Sequence, residues 1–164
     1  MMTLGDPESA KLLLPGVRNA RNADLSPDGR LLAYQSDATG QFEVYVRSFP
    51  DLDARYMRVS TNGGTQPLWS PRGDELFYLE PGPPPRLMSV TVQTQTSFAL
   101  SRPEPLLDWP YYTGELGRTY DVSRPDGRRF LAVKSDAGGG EERSPRIQIV
   151  LDWFEELQAR LPPS

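Results

Sequence analysis

Polar turns and apolar runs alternate along this chain, and one version of that alternation occurs three times. Leu25-Ser26-Pro27-Asp28-Gly29-Arg30 leads into Leu31-Leu32-Ala33-Tyr34, and Trp69-Ser70-Pro71-Arg72-Gly73-Asp74 leads into Glu75-Leu76-Phe77-Tyr78-Leu79. A third copy, Val122-Ser123-Arg124-Pro125-Asp126-Gly127-Arg128-Arg129, carries one extra residue before its proline and leads into Phe130-Leu131-Ala132-Val133. Serine suits the first position of a type I turn, proline presets φ at the second, and glycine suits the fourth. Each copy therefore predicts strand, tight turn, strand. The runs after the turns are almost continuously apolar, the pattern of a strand covered on both faces.

Gly29, Gly73 and Gly127 fall 44 and 54 residues apart, close to the length of one propeller blade. The predicted strands of the first blade (18–60) lie at 22–26, 31–36, 43–49 and 56–60, with Asp37-Ala38-Thr39-Gly40 as a hairpin turn. Those of the second blade (65–107) lie at 66–70, 75–80, 86–93 and 104–107, and Pro81-Gly82-Pro83-Pro84-Pro85 is a loop. The third blade (118–151) has strands at 119–123, 130–135 and 146–151, with 137–144 as a flexible loop. Residues 11–14, Lys-Leu-Leu-Leu, resemble the outer strand Glu104-Pro105-Leu106-Leu107 and supply the strand the third blade lacks. The expected fold is all-β, a partial propeller of about three four-stranded antiparallel blades. Closed propellers have four to eight blades.

A short C-terminal α-helix is expected over 152–161. Asp152 and Glu155 form a capping-box-like pair, and Leu151, Phe154, Leu157 and Leu161 share one face. Glu156 and Arg160 pair at i,i+4 and Pro162 stops the helix. It serves either to cover an apolar propeller edge or to dock a partner.

Composition then narrows the chemistry. There is no cysteine and no histidine, so disulfides, thiolate nucleophiles and the Ser-His-Asp mechanism are excluded. Seventeen prolines and fourteen glycines argue against a long-helix bundle. A net charge of −4 lacks the basic balance of a nucleic-acid binder. No apolar run approaches the ~18 residues that span a bilayer, and the first residues lack the basic n-region of a signal peptide. The expectation is a soluble chain without a membrane segment, cofactor, metal site or catalytic residue.

With these turns placed, the chain resembles the WD40-like repeats of six-bladed, TolB-like propellers. More narrowly, it is similar to the C-terminal propeller region of bacterial transmembrane serine/threonine protein kinases. The resemblance is carried by Asn22-Ala23-Asp24-Leu25-Ser26-Pro27-Asp28-Gly29-Arg30, Tyr34-Gln35-Ser36 and Glu43-Val44-Tyr45-Val46-Arg47-Ser48-Phe49-Pro50. Gly63-Gly64-Thr65-Gln66-Pro67-Leu68-Trp69-Ser70, Glu75-Leu76-Phe77-Tyr78, Tyr120-Asp121-Val122-Ser123 and Leu151-Asp152-Trp153-Phe154-Glu155-Glu156-Leu157 complete it. Kinase catalytic motifs are absent: there is no glycine-rich phosphate loop, His-Arg-Asp or Asp-Phe-Gly. The resemblance implies a binding or sensor role, outside the membrane if the propeller follows a transmembrane helix in a longer chain.

Candidate site residues are few. Ser26, Pro27, Asp28, Gly29, Ser70, Pro71, Gly73, Pro125, Asp126 and Gly127 read as structural turns. Asp28 and Asp126 occupy matching positions, but Arg72 stands between them in the series, so no converging carboxylate set is expected. Glu141-Glu142 reads as a solvated pair and Gly138-Gly139-Gly140 as a loop. Trp69 reads as core. Trp109-Pro110-Tyr111-Tyr112, in the loop between the second and third blades, is either inter-blade packing or a platform for a peptide or ligand. Arg118 beside it is a candidate charge for an anionic ligand. The leading expectation is a non-catalytic module that binds a protein, peptide or small ligand. The alternative is a propeller accessory domain of a prolyl-oligopeptidase-like serine peptidase, or a TolB-like periplasmic protein. Two bare blade faces further suggest self-association of two chains, head to tail, into a six-bladed ring.

Overall fold

The computed structural model describes residues 12–93, 99–114, 117–124 and 126–134. Strands β1 (Arg21–Leu25), β2 (Leu31–Ser36), β3 (Glu43–Ser48) and β4 (Tyr56–Arg58) form a four-stranded antiparallel sheet in that spatial order. In the second sheet β5 (Thr65–Trp69), β6 (Glu75–Glu80) and β7 (Arg86–Gln93) follow one another. β7 is long enough to pair twice: β9 (Glu104–Asp108) lies along its first half and β8 (Ala99–Leu100) against its end. The sequence reading expected four strands here and missed β8, a two-residue strand too short to show any periodicity. The third sheet consists of β10 (Tyr120–Val122) and β11 (Phe130–Ala132) among the described residues. No helix occurs among the described residues, and none is long and apolar enough to cross a membrane.

The second sheet is packed on both faces. Leu76 and Tyr78 of β6 join Trp69, Met88 and Val90 in a cluster with Leu31, Ala33, Val44 and Val46 of the first sheet. The intervening Phe77 and Leu79 join Leu68 and Leu87 in a cluster with Tyr120, Val122 and Phe130 of the third. Successive strand residues point to opposite faces, so a strand between two neighbours must be apolar at every position. That is why Leu76 to Leu79 form an unbroken run, and burying each such side chain contributes roughly 1.5–3 kcal/mol. Sheets stacked face to face through their middle strands are the construction of a β-propeller.

The two outward faces differ. On the first sheet, Leu32, Tyr34 and Tyr45 point away from the second sheet and are nonetheless buried. Tyr34, Tyr45 and Tyr56 stack with centroids 5.6 and 5.5 Å apart, and the Arg47 guanidinium lies 4.6 Å over the Tyr56 ring. On the third sheet, Leu131 is 75% exposed. Leu12, Leu13 and Leu14, expected within an outer strand, are instead bend and irregular backbone running into a turn at Pro15-Gly16. Leu12 projects into solvent. Lys11, the strand at 146–151, the loop at 137–144, Gly138–Gly140, Glu141-Glu142 and the C-terminal helix at 152–161 lie outside the described residues.

Candidate functional site

The three turns share one scheme, in which the serine carbonyl accepts the glycine N–H and the serine hydroxyl donates to an aspartate. In the first, the Gly29 N–H donates to the Ser26 carbonyl at 2.8 Å, the Ser26 hydroxyl donates to Asp28 Oδ1 at 2.6 Å, and the same hydroxyl oxygen accepts the Leu31 N–H at 2.9 Å. Ser123 and Asp126 repeat this arrangement. In the second turn Arg72 replaces the aspartate, and Asp74 takes the Ser70 hydroxyl at 2.9 Å from the far side of the glycine. Gly29, Gly73 and Gly127 all have φ near +70°. A Cβ on Gly73 would sit 3.3 Å from Pro27, and one on Gly127 3.1 Å from Pro71. Pro27 and Pro71 thus each pack on the next turn's glycine, which needs the left-handed backbone and the missing side chain together. Pro125 lies outside the described residues. Hydrogen bonding from Ser26 and Ser123 holds the carboxyls of Asp28 and Asp126 below the usual carboxylate range.

The opposite end of the sheets is built differently. Asn22 and Gln66 are the second residues of the inner strands of the first two sheets, four residues before Ser26 and Ser70, and both adopt positive φ, 49° and 54°. Register breaks occur here in both β1 and β5. Non-glycine residues rarely accept such backbone angles unless their surroundings fix them. The surroundings are a relay of amides. Gln35 Oε1 accepts from Asn22 Nδ2 at 2.8 Å and from the Gln66 backbone N–H at 2.7 Å. Gln66 is 2% exposed. Its Oε1 accepts the Thr119 N–H at 2.7 Å and the Thr119 hydroxyl at 2.9 Å, and its Nε2 donates to the Gly114 carbonyl at 3.1 Å. The Gln66 carbonyl receives the Tyr120 hydroxyl at 2.8 Å. Complete burial pushes the Tyr120 phenol upward, so it stays a neutral donor. Asn22, Gln66 and Thr119 are equivalent positions in the three repeats, and the relay ties the sheets together through them.

Above this relay opens a cleft of about 530 Å³, walled by the two ladders and the loops that follow β2, β6 and β9. Arg21, Gln35, Thr65, Gln66 and Glu80 give it a polar floor, while Phe42, Leu79 and Pro81 give it apolar walls. Glu80 is buried and bound to Arg86 at 2.5 Å. The Arg21 guanidinium lies 5.2 Å over the Phe42 ring. A second buried carboxylate, Glu43, accepts from the Ser60 hydroxyl, from Gln41 Nε2 at 2.7 Å and from the Gly63 N–H at 3.2 Å, which pins the loop leading into β5.

The residues singled out in the sequence as a ligand surface separate. Trp109 is 1% exposed and packs edge-on against Tyr111 and Tyr120, at 5.0 and 5.3 Å. As a surface residue it is corrected: the inter-sheet aromatic cluster takes it in, because a large ring between two sheets removes more apolar area from water there than at the loop tip. Its Nε1 is buried without a hydrogen-bond partner among the described residues. Tyr111 and Tyr112 are exposed, and the Tyr112 N–H holds the loop to the Val133 carbonyl at 2.9 Å. Arg118 is not free for an anion. It pairs with Asp24 Oδ1 at 3.4 Å, while Asp24 Oδ2 accepts the Trp69 N–H at 2.9 Å. One carboxylate on the first sheet thereby engages both others. Trp69 is core, with its indole N–H on the Asp24 carbonyl at 3.2 Å. The cleft residues were missed in sequence, although a polar residue four positions before each turn serine was the available signal.

No family model matches the chain. The uncharacterized peptidase YuxL of Bacillus subtilis is 35% identical over 63 residues, which is 38% of this chain and 10% of that protein. The chain thus spans about a tenth of the curated relative it matches. A candidate 6-phosphogluconolactonase of Bacteroides uniformis superposes with a TM-score of 0.51 at 18% identity, over 74% of this chain and 34% of that one. TolB from Acinetobacter baumannii gives 0.49 at 18% identity over 77% and 29%, and a candidate TolB from Agrobacterium tumefaciens 0.47 at 21% over 58% and 36%. At such identities a structural likeness speaks for fold alone. Stacked antiparallel sheets and repeated turns are the architecture of β-propeller blades, and the superposition at a TM-score of 0.51 speaks for the fold.

Proposed function

We propose that this chain is a non-catalytic propeller module whose cleft, on the face opposite the serine-proline turns, binds a peptide or small polar ligand. The observation that carries the reading is the strained amide relay under an open cleft: buried polar side chains fix two unfavourable backbone conformations beside a concave, mixed polar and apolar surface. The resemblance to kinase C-terminal propellers supports a sensor role in a larger signalling chain. The match to a peptidase over 63 residues supports the second reading, a propeller accessory to a serine peptidase. We further propose association with a second copy at the outward face of the third sheet, where Leu131 is exposed.

The test is selection from a random hexapeptide library on the immobilised full chain and on a Thr113→Trp variant. Thr113 is exposed on the rim of the cleft, so tryptophan there fills the cleft without entering the core. Peptides enriched by the original chain and lost by the variant are the expected result. Equal enrichment by both would place binding elsewhere.

A further inference from the structure

Two residues that line the cleft, Arg21 and Gln35, carry hydrogen-bond donors without an acceptor among the described residues, and they are opposed across one strand pair. Gln35 is 3% exposed. Both groups that meet its Oε1 are donors, Asn22 Nδ2 and the Gln66 N–H, so the oxygen end of the amide is fixed and the Nε2 end follows. Gln35 Nε2 has no hydrogen-bond partner among the described residues, although Gln35 lines the cleft. That nitrogen is accessible from the cleft and can donate to a group bound there. Arg21 is the residue directly opposite Gln35 across the β1–β2 ladder. Opposed residues of an antiparallel pair lie on one face with Cβ atoms about 5 Å apart. The Arg21 guanidinium stacks on Phe42 and has no carboxylate partner among the described residues. Glu80, the acidic residue of the cleft, is already neutralised by Arg86.

We infer that the cleft takes a carboxylate, with the Arg21 fork on one oxygen or both and Gln35 Nε2, open to the cleft, as the second donor. This rests on the cleft being a binding site. A planar guanidinium matches a planar carboxylate, and one cation without a carboxylate partner among the described residues suits a monoanion better than a phosphate dianion. Phe42, Leu79 and Pro81 then receive an apolar group adjoining the carboxylate. A peptide C-terminus and a small carboxylic acid share this chemistry.

The test uses the isotope-labelled full chain, titrated with acetyl-Ala-Ala-Phe bearing a free C-terminus, with the same peptide amidated, and with acetyl-phenylalanine. The readouts are the Gln35 side-chain amide and Arg21 Nε–H resonances. The free acid should move both at millimolar concentration, with the amide weaker by at least about tenfold. Arg21→Gln should lose the free acid by a similar factor, and Arg21→Lys should lie between. Acetyl-phenylalanine binding as well as the peptide makes a small acid sufficient; much weaker binding makes the source a chain terminus. Acid and amide binding equally, with Arg21→Gln unchanged, would overturn the carboxylate and leave the cleft standing. If no probe moves any cleft resonance, the cleft reading falls as well.

Discussion

The two ends of these stacked sheets use polar residues in opposite ways. At the turn end, Ser26, Ser70 and Ser123 each spend their hydroxyl twice, on an aspartate and on a backbone N–H a few residues away. At the cleft end, Gln35 and Gln66 reach across sheets, to partners 31 and 53 residues distant, and Gln35 keeps one donor without a partner among the described residues. The turns close on themselves and repeat. The cleft end differs in each sheet, with Asn22, Gln66 and Thr119 at equivalent positions. Local, self-satisfied chemistry marks the scaffold; non-local chemistry with groups left over marks the place where something else can bind.

Removing Gln66 should have the largest effect. Gln66→Ala leaves the buried Thr119 N–H without its acceptor and frees the Gly114 carbonyl, a loss of about 2–4 kcal/mol by urea unfolding. Next comes the turn end. Ser70→Ala removes one donated and one accepted bond and should cost about 1–2 kcal/mol. If Ser70→Ala exceeded Gln66→Ala, the ranking of the two ends would be reversed. Trp109→Phe should cost less than about 1 kcal/mol, because the indole N–H it deletes has no partner among the described residues. A larger loss would mean that the nitrogen is engaged.

Smaller still is the pH term. Asp28 and Asp126 have folded-state values below the ordinary carboxylate range, owing to the serine hydroxyls. Their contribution is therefore present above the unfolded-state pKa of about 4 and is lost as pH falls through the lowered folded values. Acid titration of stability should show a shallower fall below pH about 4 in Asp28→Asn than in the original chain. An identical slope would mean that the turn carboxylate is energetically silent. Arg21→Gln, on an exposed side chain, should shift stability by no more than about 0.5 kcal/mol while altering the cleft.

The scaffold was legible because its signals are short-range. Ser-Pro-Asp-Gly is a turn whatever surrounds it, and Leu76-Phe77-Tyr78-Leu79 announces a strand covered on both faces. Most strands fall within a residue or two of their expected places for that reason. The site was not legible, because Arg21 and Gln35 meet only through strand register and Gln66 meets Thr119 only once sheets are stacked. Arg118 and Trp109 looked functional in the sequence, being a charge and an aromatic in a loop. Folding commits one to Asp24 and the other to the aromatic cluster. Composition identifies such residues without telling which partner claims them first.

The claim that the two ends do different work is tested most directly by mapping small polar and aromatic fragments onto the assigned amide spectrum of the full chain. Shifts concentrated at Arg21, Gln35, Gln66 and Thr113, with Ser26–Arg30 and Ser70–Asp74 unmoved, are the predicted result. Fragments that move the serine-proline turns and leave the cleft untouched would contradict it.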